Sequence, residues 1–163
     1  MTPRIGHGWD AHPLVPGRRC VLGGVEIPSD AGPEGYSDGD AVLHALADAL
    51  LGTAAAGDLG SCFGTDDPKF AGAPSSVFVA EALRIAGRPR VLHVDVTVVA
   101  SRPRLGPYRL AMRESIASLL GVPEASVSVK FCSGNGLTEF GRGEGVAATV
   151  VLLAEDGPGG GGP

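Results

Sequence analysis

One segment of the chain constrains the fold more than any other: residues 37–52, which read SDGDAVLHALADALLG. The segment opens with residues that often cap helices, continues in good helix formers and stops at Gly52. These features predict a helix with Ser37 or Asp38 as its N-cap and Gly52 as its end. Strand patterns precede and follow this helix along the chain, so it must belong to a fold that mixes helices and strands.

Strand and helix patterns alternate along the rest of the chain. Strands are predicted at residues 4–8, in a hairpin around Gly23 and Gly24, and at residues 91–100, 127–131 and 146–154. Further helices are predicted from Ser75 or Ser76 to Gly87 and around Met112, Ile116, Leu119 and Leu120, with a long loop at residues 54–74. Strands separated by helices, followed by two strands in succession, predict an α/β sandwich with a mixed sheet and helices mainly on one face.

The length of the chain predicts a single domain. It has 163 residues, of which 44% are hydrophobic, enough for one well-buried core and too few for two ordinary domains. We assign this domain to residues 1–154. Residues 155–163 are rich in glycine and proline, and we expect them to form a disordered tail.

The composition also indicates which classes of binding partner and which cellular compartment to expect. The formal net charge is -5, which disfavours nucleic acid and membrane surfaces because both attract basic proteins. The first residues lack the apolar region of a signal peptide, and no stretch reaches the roughly 18 apolar residues of a membrane helix. The three cysteines lie far apart and form no C-x-x-C pair. We therefore expect a cytoplasmic protein with no membrane or nucleic-acid partner.

Three residues of metal-ligating type, His7, Asp10 and His12, lie close together in GHGWDAHP, residues 6–13. In an extended segment Asp10 and His12 project from the same side and could grip one ion. His44, on the predicted helix, is a candidate third ligand, and three protein ligands with an open position are typical of a catalytic metal site. Asp48, one turn further on, could accept the second imidazole N–H of His44. A solvated Asp-x-His pair and a solvent-facing His44 are the alternatives, and the spacing alone leaves them open.

Two other segments are candidates for contact with an anion. YSDGD, residues 36–40, has Ser37 at a helix start, where free N–H groups and the helix dipole favour negative charge. GRGEG, residues 141–145, interleaves glycines with Arg142 and Glu144. An ordinary helix cap and a hairpin turn with surface charges are the alternative interpretations.

Five segments of the chain occur in an order that resembles the 2-C-methyl-D-erythritol 2,4-cyclodiphosphate synthase family. They read RIGHGWDAHP, SDGDAVLHALADALLGTAAAGDLG, DDPKFAG, RPRLGP and GRGEG. The resemblance extends from residue 4 to residue 153. Each segment is common by itself, but the combination in this order is specific.

The resemblance implies an assembly, a metal site and a reaction. It implies a homotrimer of ferredoxin-like α/β subunits with active sites between neighbours. Asp10, His12 and His44 match the ligands of Zn²⁺ or another divalent cation, while Mg²⁺ or Mn²⁺ bridges substrate phosphates in the family. The family converts 4-diphosphocytidyl-2-C-methyl-D-erythritol 2-phosphate to the 2,4-cyclodiphosphate plus CMP, in non-mevalonate isoprenoid biosynthesis.

Substrate-binding residues follow from the same resemblance, position by position. Ser37 matches a substrate contact, and the loop that contacts the erythritol part matches Asp58, Leu59 and Gly60. The segment that closes over the substrate matches Phe63, Gly64, Thr65, Asp66 and Asp67. The stretch that holds the cytosine largely through backbone groups matches Ala100, Ser101, Arg102, Pro103, Arg104, Leu105 and Gly106. The cytidine and phosphate contacts match Cys132, Ser133, Gly134 and Asn135, with Arg142.

Several positions depart from the family pattern. Tyr36 stands where the family usually has histidine, and Ser133 stands where it has a threonine that steadies the transition state; both are candidate catalytic residues. Asn135 replaces a glutamate that helps to hold the second divalent ion, and an amide is a weaker ligand for a hard cation. A phenylalanine that usually precedes GRGEG is displaced, with Glu139 and Phe140 in its neighbourhood.

Two other functions stay open, the first because of Tyr36 and Asn135 and the second if the resemblance is misleading. One is a catalytically impaired paralogue that binds zinc and a cytidine nucleotide or an isoprenoid diphosphate. The other is a generic zinc hydrolase that uses a metal-bound hydroxide. The products distinguish these functions, because a hydrolase yields an open phosphate and a synthase yields a ring.

Overall fold

The fold is a mixed sheet with helices packed on one face. In the computed structural model, which describes residues 2–64 and 67–156, the strands are β1 (Pro3–Pro16), β2 (Cys20–Leu22), β3 (Val25–Ile27), β4 (Ala31–Pro33), β5 (Arg90–Val99), β6 (Val127–Cys132) and β7 (Gly145–Glu155). The helices are α1 (Ala41–Thr53), α2 (Leu59–Phe63), α3 (Ser76–Ile85), α4 (Arg109–Leu120) and α5 (Thr138–Gly141). The predicted α/β sandwich is confirmed. Within the described ranges, every helix is too short or too polar to traverse a lipid bilayer.

Five strands form one sheet in the order β4-β1-β7-β5-β6. Strand β1 is antiparallel to β4 and β7, β7 is antiparallel to β5, and β5 runs parallel to β6. Strands β2 and β3 form the predicted hairpin, whose turn residues Gly23 and Gly24 both have positive φ. Because β5 and β6 are parallel, the loops that follow them lie at the same edge of the sheet.

The segment predicted as a long loop contains regular structure, so that prediction is wrong in part. Helix α2 begins after Asp58, whose side chain accepts the backbone N–H of Ser61 at 2.8 Å. A 3-10 turn follows at Pro68–Phe70. A helix of this length spans barely more than one turn, which is too short to leave a hydrophobic periodicity in the sequence.

The predicted tail begins too early. Glu155 is the last residue of β7 and pairs with Pro3 on one side and Arg90 on the other. Asp156 accepts a hydrogen bond from Arg4 Nε at 3.0 Å. The rest of the predicted tail, residues 157–163, lies outside the described residues.

Glycines on β1 allow α1 to lie directly against the strand. A Cβ atom on Gly8 would lie 1.8 Å from the carbonyl oxygen of Ala45, and Gly6 makes an equally close approach one turn further along the helix. The two glycines therefore face α1. Because side chains alternate along a strand, Asp10 and His12 face the same way. The side chains of Asp10 and His12 therefore point towards α1, which lies directly against the strand.

Helix α1 begins with a cap that differs from the prediction. Neither Ser37 nor Asp38 is the N-cap; it is Asp40, whose side chain accepts the backbone N–H groups of Val42 and Leu43 at 3.1 and 3.0 Å. All the candidates are residue types that cap helices well, so composition could not distinguish them.

The position of Asp40 in the fold explains why it provides the cap. Its carboxylate is fully buried and also accepts the N–H groups of Gly23 and Gly24, at 2.8 and 2.6 Å. Burial raises the pKa of the Asp40 carboxyl to about 6, although the amide donors oppose this shift. One side chain therefore joins the start of α1 to the β2–β3 hairpin.

The sheet face opposite the helices carries exposed apolar side chains. Ile5 and Trp9 on β1 are 71% and 55% exposed, and Val151 and Leu153 on β7 are 43% and 38% exposed. Ile5 pairs directly with Leu153 across the two strands. We refer to the patch formed by these four residues as the open sheet face.

The glycine contact predicts a destabilising substitution. We expect Gly8→Ala to lower the free energy of unfolding by about 2 kcal/mol or more, because the new methyl group overlaps the backbone of α1. Chemical denaturation followed by circular dichroism measures the change.

Gly52→Ala is the matched control for this substitution. Gly52 lies near the end of α1, and its added Cβ would meet neighbours no closer than 3.6 Å. Alanine should stabilise that helix by about 0.5–1 kcal/mol. Equal stability of the two variants would contradict the steric account of the contact between α1 and β1.

Candidate metal centre and substrate pocket

Three predicted ligands converge at one point between β1 and α1. Asp10 Oδ2 lies 2.7 Å from His12 Nε2 and 3.0 Å from His44 Nδ1. The two histidine nitrogens lie 3.2 Å apart. Asp10 and His12 come from one side of the strand, and the helix supplies His44. The alternatives of a solvated Asp-x-His pair and a solvent-facing His44 do not fit this arrangement, in which the three side chains are 12–27% exposed.

Burial and charge act in opposite directions on these groups. Burial raises the pKa of the Asp10 carboxyl, but hydrogen bonds and charge from His12 and His44 outweigh it and lower the pKa to about 2. Burial lowers the pKa of His12, but the hydrogen bond and charge of Asp10 outweigh it and raise the pKa above its ordinary value. A metal ligand must release its proton, so protons compete with a cation for His12.

The donor set suits zinc. One carboxylate oxygen and two imidazole nitrogens are ligands that Zn²⁺ takes in catalytic sites, where a fourth position stays open. In a tetrahedron with zinc–ligand distances of about 2.0–2.2 Å, neighbouring ligand atoms lie roughly 3.3–3.6 Å apart. The observed separations of 2.7, 3.0 and 3.2 Å are somewhat shorter. A small outward shift of the three side chains would therefore fit a divalent cation.

The second ring nitrogen of His44 contacts two serines. Nε2 lies 2.9 Å from Ser75 Oγ and 3.1 Å from Ser37 Oγ. The prediction that Asp48 accepts this N–H is wrong, because Asp48 Oδ1 instead accepts the backbone N–H of Leu59 at 2.8 Å. Helical side chains lean towards the N-terminus of their helix, which favours contact between His44 and the preceding turn over contact with Asp48.

A pocket of about 290 Å³ opens beside the three ligands. Its aromatic wall consists of Phe63, Phe70 and Phe78, whose ring centroids lie 4.9–5.9 Å apart. The Phe78 ring also meets the His44 ring edge-on, with centroids 5.6 Å apart. The predicted site residues that line the pocket are Asp10, Tyr36, Ser37, His44, Leu59, Gly60, Phe63, Gly64 and Asp67.

The loop before α2 is tied to α1 beside this pocket. The bond from Leu59 to Asp48 fixes the loop, and Asp58 caps the short helix that follows. Burial raises the pKa of the Asp48 carboxyl, against the effect of the Leu59 amide. Thr65 and Asp66, which the resemblance assigns to the substrate, lie outside the described residues.

The remaining predicted residues form a second cluster at the edge of the sheet where β5 and β6 end. The Ala100 N–H donates to the Cys132 carbonyl at 3.0 Å, and the Ser101 N–H donates to the Phe140 carbonyl at 3.1 Å. Arg102 Nε donates to the Gly143 carbonyl at 2.8 Å. This edge cluster thus joins three loops, residues 100–106, 132–136 and 138–143. Of the described residues that line the aromatic pocket, none comes from these loops.

The candidate phosphate contacts in the edge cluster face solvent. Ser133 is exposed, and its hydroxyl lies 3.2 Å from Asn135 Oδ1, while Asn135 has a positive φ of 50°. Arg142 is also partly exposed and contacts Glu144 at 2.9 Å and Glu139 at 3.6 Å. Within one chain these groups are therefore open to a ligand or to a neighbouring molecule.

Sequence reasoning missed several residues that shape the pocket. Ser75 was predicted only as a helix cap, yet its side chain contacts His44 instead of capping α3. Phe78 follows it by three residues, which is helical spacing and the one signal that could have linked the two. Arg18 Nη2 donates to the carbonyls of Gly35 and Ser37, at 2.6 and 2.7 Å, and so holds the segment that carries Tyr36. No local pattern marks Arg18, because its partners lie beyond three intervening strands.

Comparison with known proteins places the chain beside a family of enzymes. The model of the YgbB family matches residues 3–155. The 2-C-methyl-D-erythritol 2,4-cyclodiphosphate synthase of Moorella thermoacetica is 51% identical over 156 residues, which cover 94% of this chain and 95% of the relative. The enzyme of the same name from Symbiobacterium thermophilum is 50% identical over 151 residues, which cover 91% and 96% of the two chains.

Solved structures agree with this comparison. A 2-C-methyl-D-erythritol 2,4-cyclodiphosphate synthase matches with a TM-score of 0.86 and 40% identity, over 93% of this chain and all of the other. A synthase structure described as the CDP-bound form matches with a TM-score of 0.85 and 38% identity over the same shares. Sequence and structure therefore agree over nearly the whole described chain, and the protein belongs to the YgbB family.

Proposed function

We propose that this chain is a metal-dependent 2-C-methyl-D-erythritol 2,4-cyclodiphosphate synthase of the non-mevalonate pathway to isoprenoids. It would convert 4-diphosphocytidyl-2-C-methyl-D-erythritol 2-phosphate into the 2,4-cyclodiphosphate and CMP. The observation that carries the proposal is the convergence of Asp10, His12 and His44 beside the aromatic pocket. Relatives at about half identity that carry this name support it. The three free cysteines suit a reducing cytoplasm, where we expect the enzyme to act.

The reaction requires that the substrate be held in the right conformation and that the negative charge on its phosphate oxygens be neutralised. An oxygen of the 2-phosphate attacks the β-phosphorus of the diphosphate, the bond from that phosphorus to the CMP oxygen breaks, and CMP leaves with the electron pair. Nucleophile and electrophile belong to one molecule, so the protein must mainly fold the substrate into an in-line arrangement. A divalent cation at Asp10, His12 and His44 supplies Lewis-acid stabilisation of phosphate oxygens.

The residues around the pocket provide the positioning. The loop at Asp58–Gly60, tied to α1 by Asp48, is suited to hold the erythritol hydroxyls. The three phenylalanines exclude water from one wall of the pocket, which strengthens electrostatic interactions inside it. Ser37 offers a hydroxyl beside the centre, and the exposed Tyr36 offers a phenol at the rim.

The edge cluster supplies the second half of the site in our proposal. Backbone groups of Ala100–Gly106 would bind the cytosine, and Cys132–Asn135 with Arg142 would contact the cytidine and the phosphates, with Ser133 keeping the hydroxyl of the family's threonine. We infer that the chain forms a homotrimer in which the edge cluster of one subunit faces the aromatic pocket of its neighbour. The absence of edge-cluster residues from the described lining of that pocket supports this arrangement.

The open sheet face supports assembly with further copies of the same chain. Patches that combine Trp with large aliphatic side chains are typical of surfaces that associate. Trp9 on this face immediately precedes Asp10 in the sequence of β1. The paired strand β7 begins at Gly145, shortly after residues 138–143 of the edge cluster. Covering the open sheet face would place a second subunit against the side of β1 opposite Asp10 and His12.

We expect a second divalent ion, Mg²⁺ or Mn²⁺, to bridge the substrate phosphates. These phosphates supply most of its oxygen ligands. Asn135 offers an amide oxygen instead of the carboxylate usual at this position in the family. The ion should therefore depend more on the substrate than on the protein.

Product analysis tests the function. The purified protein, incubated with the cytidyl substrate, zinc and magnesium, should release CMP and form the cyclic diphosphate in equal amounts, as phosphorus NMR and chromatography measure. An open-chain phosphate as the product would instead identify a hydrolase. Tight CDP binding without CMP release would refute catalysis and identify a binding protein.

The ligand assignment predicts the effect of removing one imidazole. We expect His44→Ala to lose most of its bound zinc and nearly all turnover while the trimer stays assembled, as metal analysis, the CMP assay and light scattering measure. His93→Ala, which removes an exposed histidine from β5, is the matched control and should keep its zinc. Full zinc content in the His44→Ala variant would refute the assignment.

The open sheet face predicts the effect of a charge placed in the subunit interface. Trp9→Glu should yield monomers that lose at least about tenfold in turnover, because a charge buried between subunits is costly. Analytical ultracentrifugation and the CMP assay measure the two effects. Leu110→Glu, at a site on α4 that is 67% exposed, is the control and should stay trimeric. A fully active, trimeric Trp9→Glu variant would contradict the proposed interface.

The amide at Asn135 predicts a gain of metal affinity. We expect Asn135→Glu to lower, several-fold, the Mg²⁺ concentration that gives half-maximal turnover, because a carboxylate is the better ligand for a hard cation. Asn135→Gln keeps the amide and is the control. An unchanged magnesium dependence in the glutamate variant would remove this position from the second ion site.

A further inference from the structure

The two ring nitrogens of His44 face different surroundings. Nδ1 faces Asp10 Oδ2 at 3.0 Å and His12 Nε2 at 3.2 Å. Nε2 faces the hydroxyl of Ser75 at 2.9 Å, and Ser75 is fully buried. A neutral imidazole carries one proton, and only the nitrogen without it has a lone pair for a cation. For Nδ1 of His44 to bind a cation, the proton of the neutral imidazole must therefore reside on Nε2.

The hydrogen bonds of Asp38 fix the direction of the Ser75 hydroxyl proton, and through it the position of the His44 proton. Its two carboxylate oxygens accept backbone N–H groups, Oδ1 from Asp40 at 3.1 Å and Oδ2 from Ser75 at 3.0 Å. The Ser75 hydroxyl donates a hydrogen bond to Oδ1 of the same carboxylate. A carboxylate that accepts on both oxygens leaves the serine to donate its single hydroxyl proton to it. Ser75 Oγ is then left with lone pairs facing His44 Nε2, which must donate.

We propose that Ser75, oriented by Asp38, is a positioning residue that fixes His44 as the Nε2–H tautomer and keeps Nδ1 open towards the cation site. The inference rests on the proposed metal centre and adds the group that prepares one of its ligands. A carboxylate behind a metal-binding histidine commonly has this effect, and here a hydroxyl stands between the two.

Ser37 is less suited to the same role. Its hydroxyl lies 3.1 Å from His44 Nε2 and 3.5 Å from Ser75 Oγ, and it accepts the Gly39 N–H at 3.3 Å. Its own proton can turn towards Ser75, towards His44 or towards the pocket. Ser37 is therefore compatible with either tautomer of His44. Ser75, whose hydroxyl donates to Asp38, is compatible only with the Nε2–H tautomer.

Ser75 also sets the position of the aromatic wall relative to the centre. It immediately precedes α3, and Phe78 on the first turn of that helix contacts the His44 ring. Asp38 precedes α1 and binds both the hydroxyl and the backbone N–H of Ser75. The same pair of residues thus aligns the starts of the two helices.

The tautomer itself is the first measurement. Nitrogen-15 NMR of the metal-free protein at about pH 9, where imidazoles are neutral, distinguishes protonated from unprotonated ring nitrogens. We expect His44 to show a protonated Nε2 in the wild type. In Ser75→Ala, the proton should move in part to Nδ1, because the Asp10 carboxylate can accept it there. Ser75→Thr keeps the hydroxyl and should restore the wild-type spectrum, and Ser76→Ala makes the same truncation one position along.

Zinc affinity is the second measurement, made with zinc chloride and a competing chelator. Ser75→Ala should bind zinc about 10–100-fold more weakly, the usual effect of losing a partner behind a ligand. Asp38→Asn should weaken it similarly, since an amide can donate to Ser75 and free the hydroxyl proton to face Nε2. Ser75→Thr and Ser76→Ala should stay close to the wild type. If Ser75→Ala does not fold, Asp38→Asn and the wild-type spectrum still test the proposal.

The outcomes separate this proposal from the proposed function. A wild-type His44 with its proton on Nδ1, or unchanged spectra and zinc affinity in both Ser75→Ala and Asp38→Asn, would overturn the role of Ser75. A fixed Nε2–H tautomer and tight zinc binding in a protein that releases no CMP would leave that role in place and refute only the synthase activity.

Discussion

The candidate functions of this chain depend on how closely α1 lies against β1. Gly6 and Gly8 leave room for the helix backbone, and the next two residues on that side of the strand are Asp10 and His12. The helix then brings His44 within 3.2 Å of His12. A side chain at either glycine would push the helix outwards and separate the ligands. Steric clearance in the strand thus brings the three candidate metal ligands together, and the pocket lies beside them.

Much of the fold and of the centre could be predicted because the signals are local. The alternation of side chains along a strand places Asp10 beside His12, and the helix that carries His44 is marked by its composition and its terminal glycine. What brings the strand and the helix together is a tertiary contact, so the residues alone left His44 open between a ligand and a solvent-facing side chain, and the resemblance favoured the ligand. The proposed sharing of the site between subunits has no signature in a single sequence either.

The segment SDGD shows where local reasoning ends. Ser37, Asp38 and Asp40 are all good capping residues by type. The fold separates their roles, because the hairpin covers Asp40 while the start of α3 approaches Asp38. Ser75 is 31 residues from His44, so no short pattern joins them. The polar partners of a site are selected by elements that meet only in the folded protein, and sequence spacing alone does not reveal them.

Successive turns of α1 make different attachments. Asp40 binds the hairpin at its start, His44 binds Asp10 one turn on, and Asp48 binds Leu59 after another turn. Any displacement of α1 would therefore disturb all three of these contacts together. Phe63 and Phe70 lie further out, where their rings pack against each other and against Phe78, while Phe78 contacts the His44 ring on α1. A substitution at Phe63 or Phe70 would therefore reshape the outer wall of the pocket while the three candidate cation ligands keep their positions.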